Sequence, residues 1–149
     1  MKWLSANASV VEAIAALITA AIAVLALVGV KYQLDAAEDL QRAQSARDAY
    51  RSHLVLAVNN PKLASPKDAC SLSEGEESAA YSAFVDHLLY SAEQMLEVEP
   101  GWETTFSSAL EPHAPFLCSP EAPQASSAML AEFLETFRGD ICSKVPACK

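Results

Sequence analysis

The feature that most restricts this chain is a run of eighteen residues, Ala13 to Val30 (AIAALITAAIAVLALVGV), that contains no charged, proline or amide residue. As a helix rising about 1.5 Å per residue it reaches roughly 27 Å, close to a hydrocarbon core of about 30 Å. It reads as one membrane span. Glu12 and Lys31 bracket the run with charge, and Trp3 and Tyr32 fall outside its two ends, where amphipathic rings favour the headgroup zone. A cleaved signal peptide would have an apolar region of about 7–15 residues followed by a small-x-small site. Leu27-Val28-Gly29-Val30 offers no such site.

Seven of the eighteen residues are alanine, and Ala15, Thr19 and Ala23 recur at four-residue spacing. Rows of small residues let helix backbones approach closely. This row is the expected helix-association face, for a second copy or a partner subunit in the bilayer. Orientation follows from the basic residues: Lys2 stands on one side, Lys31, Arg42, Arg47 and Arg51 on the other. That asymmetry favours a cytoplasmic C-terminal domain.

Beyond the span the apolar period is helical, so the expected class is all-α. No breaker stands between Gly29 and Pro61, so one helix is expected to leave the bilayer and run to about Asn59. Its stretch 31–49 carries only a thin seam of Leu34, Ala37, Leu40 and Ala43, the pattern of a polar stalk. Tyr50, Leu54, Ala57 and Val58 then form a face expected to join a core. Ser73-Glu74-Gly75-Glu76 has the S-x-x-E form of a helix start. The stripe that follows, Tyr81, Phe84, Val85, Leu88, Ala92, Met95 and Leu96, is the cleanest i, i+3, i+4, i+7 series in the chain.

Glu99-Pro100-Gly101 breaks that helix, and Trp102, Phe106, Ala109 and Leu110 carry a short third one ended by Pro112. Ser119 is the candidate cap of a fourth helix, with Met129, Leu130, Phe133, Leu134 and Phe137 on its inner face and Gly139 at its end. The predicted organisation is an N-terminal flank (1–12), a transmembrane helix (13–30), a stalk (31–49), an up-and-down helical bundle (50–139) and a tail (140–149). The aromatic residues fall on the predicted inner faces, where they serve as core.

Charge is segregated. Between Lys67 and Arg138 there are thirteen Asp or Glu and no Lys or Arg, although the whole chain is only −9. Such a surface repels phosphate backbones and excludes nucleic acid as a partner class. The four glycines lie far apart, so no Gly-rich phosphate loop exists. A basic protein partner suits the acidic block, alongside the lipid bilayer.

His53, His87 and His113 are scattered through the bundle sequence, no two at i, i+4, and no HExxH, ExxH or CxxC spacing occurs. A metal centre would have to be assembled across helices, and no metal or cofactor is expected. Asp86, His87 and Glu93 point along different bearings of one helix, a poor acid/base set. The chain is therefore read as non-enzymatic. Cys70, Cys118, Cys142 and Cys148 all avoid the helix middles. In an up-and-down bundle Cys70 and Cys118 fall at the same end, which suggests the pairs Cys70–Cys118 and Cys142–Cys148. Disulfides imply the periplasm or exterior, against the Lys/Arg count; in the cytosol the four would be thiols, or a redox or zinc set.

The order of one N-terminal span, a Gln/Arg-rich helix, Tyr50-Arg51-x-His53-Leu54, Asn60-Pro61-x-Leu63-Ala64, Tyr81-x-x-Phe84-Val85, Glu93 and Pro100-Gly101-Trp102 resembles uncharacterised bacterial single-span proteins. The resemblance implies a membrane-anchored helical domain at the inner membrane, commonly on the cytoplasmic side, and brings no catalytic residue with it. Two functions are compatible: a protein-interaction module or accessory subunit of a membrane assembly, and a thiol-based redox or metal-responsive sensor built on the four cysteines.

Overall fold

The computed structural model describes residues 8–149, so Lys2 and Trp3 lie outside the described residues. The protein is all-helical: α1 (Ala8–Asn59), α2 (Pro61–Ala64), α3 (Ala69–Glu74), α4 (Ser78–Val98), α5 (Glu103–Leu110), a 3-10 turn (Glu111–His113), α6 (Ala114–Leu117) and α7 (Ala128–Ile141), with no strand among the described residues. The chain divides into two compact units, Met1–Gln41 and Arg42–Lys149.

In the first unit every described side chain is exposed, Leu17 and Leu25 at 71% each. The apolar residues circle the helix instead of forming a seam, which is the pattern of a helix whose surroundings are apolar on all sides. This segment is the one helical stretch among the described residues with the length and hydropathy to cross a membrane. Thr19 Oγ1 donates to Ala15 O at 2.8 Å, so the hydroxyl is satisfied within the helix and the Ala15, Thr19, Ala23 row offers small size, not an unpaired polar group.

The second unit is a small bundle around α4. Tyr81, Phe84, Val85, Leu88, Leu89, Ala92 and Met95 are all buried, which realises the stripe expected of that helix, with Leu96 half-buried. Phe106 and Leu110 of α5 and Leu130, Phe133, Leu134 and Phe137 of α7 close over it. Gly101, at φ +95°, makes the turn from α4 into α5. The C-terminal part of α1 reaches α4 through small residues: Ala46 is 1% exposed, and buried Ser91 Oγ donates to Ala49 O at 3.3 Å and to His87 O at 2.8 Å.

Four local expectations change. The core face of α1 is Ala46, Tyr50 and His53, while Leu54 and Val58 are 45% and 80% exposed. A hydrophobic pattern cannot see this face, because its innermost large member is a histidine. Ser73 and Glu74 end α3 and do not start α4; the cap in this stretch is Asp68, whose side chain accepts from Cys70 N and Ser71 N, both at 3.1 Å. Gly75 is needed at the end of α3, since a Cβ there would lie 2.8 Å from Ser71 O. Ser119 caps no helix: its hydroxyl donates to Phe116 O at 2.7 Å, and Ser127 caps α7 by accepting from Leu130 N. Finally, α7 runs through Gly139 to Ile141, and residues 142–149 are not a free tail. Cys148 is buried and its N–H donates to Pro115 O at 3.0 Å.

Candidate functional site

Three groupings of polar or reactive side chains stand in the second unit. The first is the cysteine end. Cys70 pairs with Cys148 and Cys118 with Cys142, at Cα separations of 5.2 and 5.6 Å, both within disulfide range. The expected pairs, Cys70–Cys118 and Cys142–Cys148, are thus incorrect. The expected meeting of the two loops does occur, because α3 packs on α6. What differs is the C-terminal segment, which folds back along α6 and supplies one partner to each loop. Arg138 consolidates this end: its guanidinium donates to Leu117 O at 3.0 Å and Pro123 O at 3.3 Å, tying α7 to the proline-rich connection.

The second grouping is a row of imidazoles. His53 on α1 stacks on His87 of α4 with ring centroids 5.6 Å apart. Phe84 lies between His53 and His113, with centroids 4.9 and 5.8 Å from them. Tyr81 Oη meets His113 Nδ1 at 2.9 Å. Burial pushes the Tyr81 phenol up, so it keeps its proton beside a neutral imidazole. Burial, with the neighbouring His87 second, pushes His53 down to about 4; burial, with His53 second, does the same to His113. His53 Nδ1, His87 Nδ1 and His113 Nε2 are buried without a hydrogen-bond partner.

The sequence placed these histidines apart, yet the fold gathers them. The signal available was their register: His53 follows Tyr50, and His87 follows Phe84, by one turn, so each shares an aromatic face. Chemically the row is a partly unsatisfied polar layer against an apolar core, with His53 and His113 held neutral by burial. Among the described residues no group of three or more His, Cys, Asp or Glu side chains is arranged to hold a metal ion. Glu93 takes no part in the row: its carboxylate accepts from Ser126 Oγ at 2.6 Å. Asp86 is exposed, although partial burial raises its pKa.

The third grouping is an open groove of about 560 Å³ bounded by the C-terminal end of α4, by α5 and by α7. Leu96, Phe133, Phe137 and Ile141 form its floor, with Met129, 44% exposed, at one lip. Glu103 and Glu111 stand on one wall, Glu132 and Asp140 on the other. No Lys, Arg or His lines it. Helical periodicity identified Phe133 and Phe137 as core, but the groove depends on how α5 and α7 splay, which periodicity does not encode.

No family model matches this chain, and neither the curated proteins nor the solved structures contain a match to it.

Proposed function

We propose that this is a single-pass membrane protein of non-enzymatic role, whose disulfide-closed acidic helical domain lies on the oxidising side of the membrane and binds another protein, as an accessory subunit of a membrane assembly. The observation that carries the anchoring is the exposure of the whole apolar run: Ile14, Leu17, Ile18, Ile22, Leu25 and Leu27 are each more than half exposed. At about 25 cal/mol per Å² of apolar surface, a helix of this kind is far more stable in lipid than in water. The Ala15, Thr19, Ala23 row supports lateral association within the bilayer.

The pairing of all four cysteines supports the oxidising side, since disulfides persist there and are rare in reducing compartments. This reverses the orientation drawn from Lys and Arg. That count sets Lys2 against Lys31, Arg42, Arg47 and Arg51, and Asp35, Glu38 and Asp39 dilute the second set. A redox sensor built on the same cysteines draws less support, because Cys148 is buried and both pairs join segments of the folded core.

Labelling of intact cells with a membrane-impermeant thiol reagent tests the proposal. No labelling before reduction and labelling after it is the expected result. Labelling only after lysis places the domain in the cytosol, and labelling without reduction removes the disulfides; either overturns the assignment.

A further inference from the structure

We propose that the groove between α4, α5 and α7 is the docking site for a cationic amphipathic helix of the partner protein. This rests on the protein-binding function proposed above and names the chemistry of its partner. Along α7, Met129, Phe133, Phe137 and Ile141 recur every four residues and span roughly 18 Å of helix, about three turns. An apolar strip of that length between two helices is the form in which a partner helix inserts anchors at i, i+3, i+4 and i+7. The volume, about 560 Å³, lies in the range of sites that enclose several side chains.

The walls decide the sign of the occupant. Glu132 and Asp140 are eight residues apart on α7, about 12 Å, and Glu103 and Glu111 are eight apart on the facing wall. A helix laid on the floor with Lys or Arg flanking its apolar stripe, about two turns apart, meets a carboxylate on each side at both ends. Arg138, the one basic residue of α7, is held by Leu117 O and Pro123 O and does not line the groove. An acidic helix, a nucleic acid or an anionic lipid surface would meet four unneutralised carboxylates. A second copy is disfavoured by the same charge, since each chain carries −9. Charge of this kind raises association rate and suppresses wrong partners more than it adds affinity, while exposed Met129 and half-buried Leu96 and Ile141 supply the apolar contacts over the edges of Phe133 and Phe137, which are largely buried in the core.

The full chain, oxidised and in nanodiscs of zwitterionic lipid, is titrated against a fluorescent peptide of roughly sixteen residues with leucines at i, i+3, i+4 and i+7 and lysines on both flanks, empty nanodiscs being subtracted. We expect binding that weakens at least tenfold in the double variant Glu132→Lys, Asp140→Lys. It should also be lost in Thr136→Trp, which fills the groove from an exposed position, and be absent when glutamates replace the peptide's lysines. Unchanged far-ultraviolet circular dichroism shows that the variants fold. No binding above empty nanodiscs, or equal binding to wild type and both variants, overturns the groove. In cells, a benzophenone amino acid at Thr136 and, separately, at Val55 of α1 distinguishes the two levels of the proposal. Adducts at Val55 alone keep the protein-binding function and move its surface to α1; adducts at neither position remove that function too. An adduct at Thr136 of twice the chain's mass makes the occupant a second copy and overturns the cationic helix.

Discussion

Residues 8–41 and residues 42–149 are both rich in apolar side chains, and the two stretches treat them oppositely. In the first every described side chain is exposed; in the second Tyr81, Val85, Ala92, Met95, Phe106, Leu110 and Ala114 are fully buried. α1 belongs to both, and along it the change is abrupt: up to Gln41 every described residue is exposed, whereas Ala46 is 1% exposed and His53 5%. What separates the two regions is therefore the angular spread of apolar residues about the helix, not their number. A stripe folds against a neighbour, while a full circle suits a membrane span or the interior of a larger assembly.

Removing the disulfides breaks that contrast most severely, because both lie in the second region. The Cys70–Cys148 pair closes a loop with a sequence separation of 78 and Cys118–Cys142 one of 24. Loop-closure entropy then assigns about 4.5 kcal/mol to the first and about 3.5 kcal/mol to the second. Replacing both cysteines of a pair by serine should lower the urea midpoint in that order, followed by near-ultraviolet circular dichroism, with membrane retention under alkaline extraction unchanged. A larger loss from the 24-residue pair would mean that local packing, not chain entropy, dominates at this end.

Single substitutions sharpen the comparison further. Leu88→Ala, in the centre of the α4 stripe, should cost about 2–5 kcal/mol of bundle stability and leave the chain in the membrane. Ile22→Arg should do the reverse, at about 2.5–3.5 kcal/mol of insertion free energy, lowering the alkali-resistant fraction while the urea midpoint of the bundle stays put. If Ile22→Arg moved that midpoint as far as Leu88→Ala, the apolar run would have to be packed in protein instead of lipid.

The legible parts of the fold were those that hydrophobic period dictates: the long α1, the α4 stripe, and the inner face of α7. Cap and pairing details were less legible, because several residues could do each task. Ser73, Asp68, Ser119 and Ser127 all have capping side chains, and only the folded backbone selects Asp68 and Ser127. The cysteines were legible as an even set outside the helix middles, although Cys70 lies in the first turn of α3, and their partners depended on how residues 142–149 return to Pro115. The groove and the histidine row were hidden for a related reason. Each is made by side chains from three separate segments, and such convergence is set by packing, which local sequence does not report.

The histidine row gives the second region a dependence on pH that the first cannot have. His53 and His113 both sit near 4 in the bundle, below the roughly 6.5 of an unfolded chain, so between these values the unfolded chain binds more protons. Stability is fully present above about 6.5 and falls as the pH drops toward 4, by up to about 1.4 kcal/mol per pH unit for each ring. Asp86, with its raised pKa, works in the opposite direction at the acid end. His53→Phe, which keeps the stack on Phe84, should flatten the slope by about one proton. A stability curve of wild type that is level from pH 7 to 5 would show that these rings are not held neutral by the fold.

The smallest effects come from making one change, Gly→Ala, at three places. At Gly101 the backbone lies at φ +95°, where a Cβ meets its own carbonyl, so the bundle should lose roughly 1–2 kcal/mol. At Gly139 an added Cβ meets nothing within 4 Å, and the residue sits inside α7 instead of ending it. There the restricted unfolded chain and the better helix former should raise stability by about 0.5–1 kcal/mol. Gly29 is equally open and equally helical, but it belongs to the apolar run, so Gly29→Ala should leave the urea midpoint of the bundle where it is. Opposite signs at positions 101 and 139 with no change at 29 require that α7 continue past Gly139 and that the apolar run take no part in the unfolding transition. If Gly139→Ala destabilised the bundle as Gly101→Ala does, the helix would have to end at Gly139 in solution, and the return of the chain to Cys148 would begin two residues earlier than Ile141.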